Sequence, residues 1–208
     1  MNKKLILIGA GGHGRVIADI AKKNGYTEIA FLDDNAERVQ CEDYKVLGRV
    51  DTAANYADCD FVVSIGNAAV RQRLQEWLEA AGLSVIALVH PRAVVADGVE
   101  IGRGTVIMAG AVVNPGAKLG CGCIVNTCSS VDHDCTVDDY VHVSVGANVS
   151  GTVRIGKRTW IGAGATVINN VSITEDCMIG AGAVVIADIR ESGTYVGVPA
   201  KKRKSNKI

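Results

Sequence analysis

Residues 155–185 read "IGKRTWIGAGATVINNVSITEDCMIGAGAVV". Every sixth residue is aliphatic: Ile155, Ile161, Val167, Ile173, Ile179 and Val185. Four residues after each comes mostly something small, as at Thr159, Ala165, Cys177 and Ala183. A helix repeats every 3.6 residues and a strand every two, so neither sustains this beat. A solenoid with three short strands per turn does, at about 18 residues per coil. Outward from this stretch the beat runs unbroken from Val89 to Val185, and all seventeen positions are Val, Ile or Leu. That makes about 5.7 coils, stacked about 4.8 Å apart. The aliphatic points inward on each flat face and the small residue packs near each corner. Glycine often follows the aliphatic, as at Gly102, Gly120, Gly156, Gly162 and Gly180.

Upstream, residues 1–88 have another texture. "KLILIGA", "EIAFLDD", "DFVVSIGN" and "LSVIALV" read as strands, and "GRVIADIAKKNG" and "AAVRQRLQEWLEAAG" as helices with glycine stops. The alternation predicts a small parallel sheet with helices on its faces. "GAGGHG" fits G-x-G-x-x-G through Gly9, Gly11 and Gly14, directly after a strand and opening a helix. Glycines there, with Gly12, let backbone N–H groups approach a phosphate. Asp33 and Asp34 end the next strand, where an acidic residue commonly meets a ribose or base. Gly66 and Asn67 end another strand at the same carboxyl edge, which holds the ligand in open α/β sheets. His13 sits at the mouth of this site, where it touches sugar or phosphates or only the helix N-terminus. About 88 residues hold one mononucleotide half, so the reading is a half-Rossmann nucleotide site rather than NAD redox chemistry.

Formal net charge is zero, which gives no pull toward nucleic acid. No apolar run reaches the length of a membrane span. The start "MNKKLILIGAGGHG" mimics a signal peptide only weakly, since glycines break its apolar run. Seven cysteines without a disulfide-module pattern suit a reducing compartment, so the expected location is the cytoplasm. Cys123, Cys135 and Cys177 occupy the small inward position and read as packing residues. "CGC" at 121–123 has no matching Cys/His pair, so no metal is expected.

The repeats concentrate titratable groups in "VDHDCTVDDYVH", residues 131–142. His133 is the second residue after inward Val131 and faces outward. His142 precedes inward Val143 at a corner-adjacent outward position. Nine residues is half a coil, so the two lie at nearly one height on different edges and do not meet within one subunit. Trp160 falls one coil from His142. "IGAGA" recurs at 161–165 and 179–183, one coil apart, so Ala163 and Ala181 stack in a strip of small residues. Such a strip either exposes backbone amides to a ligand or simply satisfies the corners.

The repeats resemble the hexapeptide-repeat family, whose fold is a left-handed parallel β-helix and whose members are mostly acyltransferases. "GAGGHG", "FLDD" and "SIGN", joined through His90 and Pro91 to the repeats, are similar to one subfamily. It includes bacillosamine-pathway UDP-4-amino-sugar N-acetyltransferases and sialic acid O-acetyltransferases. The resemblance implies a UDP-sugar domain over 1–88, a β-helix acetyltransferase domain over 89–190 and a closing segment over 191–208. It implies a homotrimer with acetyl-CoA in the grooves between subunits, so that His133 of one subunit faces His142 of its neighbour. His133 falls on the catalytic-base position, with Asp134 as the acidic partner that orients it and raises its basicity. Asp132 or a backbone carbonyl is the alternative orienting group. His142 is implied to contact acetyl-CoA, and Asn126 is a candidate polar contact near the thioester. Lys201, Lys202, Arg203 and Lys204 either meet the 3′-phosphate of coenzyme A or form a solvated tail. The implied reaction is N-acetylation of a UDP-4-amino-4,6-dideoxy sugar. Sugar O-acetylation is the alternative, and a non-catalytic nucleotide-sugar module a second one.

Overall fold

The computed structural model describes residues 3–203, and Lys204 lies outside them. The chain divides into two compact units, Met1–Pro91 and Arg92–Ile208.

The first unit is a six-stranded sheet. Its strands are β1 (Lys4–Ile8), β2 (Glu28–Leu32), β3 (Gln40–Cys41), β4 (Tyr44–Gly48), β5 (Asp60–Val63) and β6 (Ser84–Val85), ordered β3-β4-β2-β1-β5-β6. All pairings are parallel except the β3–β4 hairpin. Helix α1 (Gly12–Lys23) follows β1, and α2 (Ala68–Ala80) follows β5. Leu7, Ile8, Phe31, Leu32, Phe61 and Val62 are fully buried. Each such side chain taken from water contributes about 1.5–3 kcal/mol. The hairpin, and a 3₁₀ helix at Val50–Tyr56, were not expected from the sequence. The hairpin turn places Glu42 at φ 51°, with no glycine or asparagine there to mark it. The expected strand "LSVIALV" is split into Ser84–Val85 and Leu88–Val89.

The second unit is the coiled prism. Two-residue rungs stack in parallel on three faces, and the register advances by 18 residues on each. One face runs Val94, Val112, Ser130, Asn148, Thr166, Val184. The second runs Glu100, Lys118, Thr136, Arg154, Ser172. The third runs Val106, Ile124, His142, Trp160, Met178. From Ile107 to Val185 every sixth-residue aliphatic is buried, as is every small position from Ala111 to Ile189. Val95 and Ile101, nearer the start of the stack, stay partly exposed.

A second period of six was not read from the sequence. Every sixth residue from Gly98 to Gly182 has positive φ, including Cys128, Asp134, Tyr140, Thr152 and Arg158. These are the corners. Glycine makes such a turn freely, whereas a β-branched residue such as Thr152 is strained there. The ladder holds it: corner N–H groups donate to the preceding coil, as in Asp134 to Pro115 O (3.1 Å) and Thr152 to His133 O (2.8 Å). Glycines directly after the aliphatics serve the stack instead. A Cβ on Gly102 would stand 2.5 Å from Cys121 N of the next coil.

After the last coil, Gly193–Val196 adds a parallel strand beside Cys177–Ile179, and Lys201–Lys202 pairs back on it antiparallel. Lys202 bonds Glu191 at 2.8 Å. Lys201 and Lys202 are therefore exposed residues of a hairpin.

Candidate functional site

At the carboxyl edge of the first unit, the strand order turns between β1 and β5. There the glycine loop meets the Ile65–Asn67 segment. Gly9, at φ 106°, donates to Leu32 O (2.9 Å). Gly14 packs so closely that a Cβ would stand 2.9 Å from the Phe31 ring. Gly11, Gly12 and Gly66 differ: φ is not positive, and the closest atom to an added Cβ is 3.8 Å away or none lies within 4 Å. The protein's own packing does not require glycine at these three positions, so they keep open the space above the loop. Helix α1 has Gly11 as its N-cap, with no side-chain capping bond. Its first-turn N–H groups and positive dipole end suit an anion. A groove of about 300 Å³ beside the loop is lined by Gly11, Gly12, Arg15, Arg38, Gln40 and Glu42.

Asp33 is committed to this scaffold. Its carboxylate accepts from Ala10 N (2.7 Å), Asn35 N (2.8 Å) and the Arg38 guanidinium (3.0 Å). Burial pushes its pKa up, but these donors outweigh it and hold the carboxyl below its ordinary value. Asp34 is exposed and accepts from Val50 N (3.1 Å). Asn67 caps α2 by accepting from Val70 N (3.0 Å). Arg71 went unnoticed in the sequence. It is 1% exposed, and it donates to the carbonyls of Ile65 (2.9 Å) and Gly66 (2.8 Å). Burial pushes the His13 imidazole down to about 4, and the Arg71 charge adds to this. His13 is thus neutral at pH 7, and its buried Nε2 has no hydrogen-bond partner among the described residues.

In the second unit, His133 stands exposed at a corner after the first face. Its backbone is fixed on both sides: the N–H donates to Asp132 Oδ1 (2.8 Å), and the C=O accepts from Thr152 N (2.8 Å). Asn114, one coil back, donates to the same Asp132 oxygen (2.6 Å). His133 Nδ1 lies 2.8 Å from Asp134 Oδ2. That hydrogen bond raises the imidazole pKa, against slight desolvation, and Asp132 adds to the rise. With Nδ1–H on a carboxylate, Nε2 carries the free lone pair.

His142 lies on the third face and is 8% exposed, so its outward direction does not leave it open to solvent. Trp160 stacks on it, with ring centroids 5.0 Å apart and 20° between planes. Trp160 Nε1 donates to Ser144 Oγ. The Asn126 amide nitrogen lies 3.1 Å from His142 Nε2. Ala163 and Ala181 are exposed at the corner after this face, and Gly182 N donates to Ala163 O (2.9 Å). Asn126, His142, Ala163 and Ala181 therefore share one side of the prism, and His133 and Asp134 stand at another corner. Cys123, Cys135 and Cys177 are buried, while Cys128 is exposed.

Known proteins resemble this chain in sequence and fold. Residues 4–78 match the family described as the PglD N-terminal domain, and residues 152–187 match the bacterial transferase hexapeptide. GDP-perosamine N-acetyltransferase from Escherichia coli is 31% identical over 162 residues, 74% of this chain and 73% of that protein. UDP-N-acetylbacillosamine N-acetyltransferase from Bacillus subtilis is 35% identical over 112 residues, 51% of this chain and 52% of that protein. The acetyltransferase domain of PglB from Neisseria gonorrhoeae, solved with acetyl coenzyme A, superposes with a TM-score of 0.94. It is 40% identical, over 98% of this chain and 100% of that one. The chain belongs to the sugar N-acetyltransferase family that joins a PglD N-terminal domain to hexapeptide repeats.

Proposed function

We propose that the protein transfers an acetyl group from acetyl-CoA to the amine of a UDP-linked 4-amino-4,6-dideoxy sugar. The observation that carries this reading is the His133–Asp134 pair, an exposed imidazole with Nδ1 held by a carboxylate. Its Nε2 takes a proton from the amine as the nitrogen attacks the thioester carbonyl. The oxyanion of the tetrahedral intermediate is met by His142 or a backbone N–H. The C–S bond then breaks, and the coenzyme A thiolate leaves with a proton returned through His133.

Asn126, His142, Ala163 and Ala181 are the contacts proposed for acetyl-CoA. Trp160, flat against His142, fixes that ring in place. Gly11, Gly12, His13, Gly14, Asp33, Asp34, Gly66 and Asn67 are proposed to hold the nucleotide sugar. The buried Arg71 charge, Arg15, Arg38 and the α1 N-terminus favour a diphosphate. Asp33 and Asn67 act there through the loops they brace. The coenzyme site is completed by a second subunit in a homotrimer. Supporting this, Ile168 and Ile186, one coil apart, expose apolar surface on one face of the prism. The absence of a disulfide among the described residues supports a cytoplasmic setting. No described helix is long and apolar enough to cross a membrane.

GDP-linked amino sugars are the second reading, because the relative matched over the longer stretch acts on GDP-perosamine. A panel of UDP- and GDP-linked amino sugars and sialic acid, assayed with acetyl-CoA by free thiol release, tests the proposal. Turnover is expected with UDP-4-amino sugars. Turnover confined to sialic acid, or none at all, contradicts it.

A further inference from the structure

Glycine at position 151 is not explained by the prism. Its φ is not positive, so it is not a corner. One coil before it the same column holds His133, two coils before Pro115 and one coil after Asn169, so the backbone accepts side chains there. Gly151 is nevertheless buried. The three atoms closest to an added Cβ all belong to the His133 ring: Nε2, Cε1 at 2.6 Å and Cδ2 at 3.0 Å. The imidazole therefore lies across the Cα of the next coil, in the space a side chain would fill.

We infer that Gly151 is a positioning residue, a seat that fixes the His133 ring so that Nδ1 stays on Asp134. This deepens the proposed role of His133 and rests on it. Contacts between heavy atoms settle at about 3.5–4 Å. A methyl group at 151 therefore drives the ring outward by roughly 1 Å, which stretches the 2.8 Å bond to Asp134 out of hydrogen-bond range. The backbone at Gly151 is compatible with alanine, so the damage is confined to the ring.

The test is Gly151→Ala in the full chain, alone and combined with His133→Ala or Asp134→Asn. Three results are expected. In Gly151→Ala, kcat falls at least about tenfold, within the range that general-base catalysis spans, while KM for acetyl-CoA stays within about threefold. The NMR titration of His133 moves to lower pH, toward that of an unpartnered imidazole. Both effects shrink in the Asp134→Asn background, because the bond they act through is already gone. Thermal unfolding covers the case of a poorly folding single variant: Gly151→Ala lowers Tm in the wild type but not in His133→Ala, where no ring needs the seat. An unchanged His133 titration, or an equal loss of Tm in both backgrounds, would overturn the inference. A shifted titration with unchanged kcat would support the seat and contradict His133 as the base, so the two readings fail separately.

Discussion

At the scale of single residues, the reach between His133 and Asp134 is a consequence of the corner. Neighbours in a strand point to opposite sides. Asp134 has φ 57°, in the left-handed region that Asp enters more readily than most residues, and this turn swings its carboxylate beside the preceding imidazole. The sequence marks both residues. It does not mark the geometry that joins them, because the corner series is hidden where Asp134, Tyr140, Thr152 and Arg158 stand in place of glycine. Asn114 and Gly151 were equally silent, although their distances from Asp132 and His133 are one coil each. Raising the His133 pKa makes it a stronger base, but a larger fraction is then protonated in mild acid. The acidic limb of kcat/KM should therefore lie above the ordinary histidine value of about 6.5. Asp134→Asn should move that limb to lower pH while depressing the plateau. A pH–rate profile reads both, and an unmoved limb would contradict the pairing.

At the scale of elements, the aliphatic beat and the G-x-G-x-x-G turn were legible because each rests on a local rule: inward volume every six residues, and clearance at a strand-to-helix turn. The β3–β4 hairpin and buried Arg71 were not, although their partners lie close in sequence: the turn at Glu42 and Asp43 has no glycine to mark it, and an arginine in a charged helix reads as solvent-facing. The glycine loop also makes a thermodynamic prediction. His13 titrates near 6.5 in the unfolded chain and about 4 in the folded one. Between these values the unfolded state binds more protons, so stability falls as pH drops from about 6.5 to about 4. The loss approaches about 3 kcal/mol, at 1.4 kcal/mol per pH unit over that window. His13→Asn should flatten this part of the stability curve, as chemical denaturation at pH 7, 5.5 and 4.5 would show. An identical slope in the variant would place His13 outside the buried environment described.

At the scale of the whole molecule, His133–Asp134 and Asn126–His142 occupy different parts of one prism and are joined into one site only if subunits meet. Native mass spectrometry should therefore find a trimer, and full activity in a monomer would remove the shared site. The periodicity made the half-coil separation of the two histidines legible. The burial of His142 under Trp160 was not, because it depends on how two stacked rings cover each other. The most direct test of the account is the steady-state turnover of acetyl-CoA and a UDP-4-amino sugar by His133→Ala. General-base catalysis is worth about 10²–10⁴-fold, so kcat should fall by at least about a hundredfold with KM for acetyl-CoA little changed. Turnover within about threefold of wild type would contradict the assignment of His133 as the base.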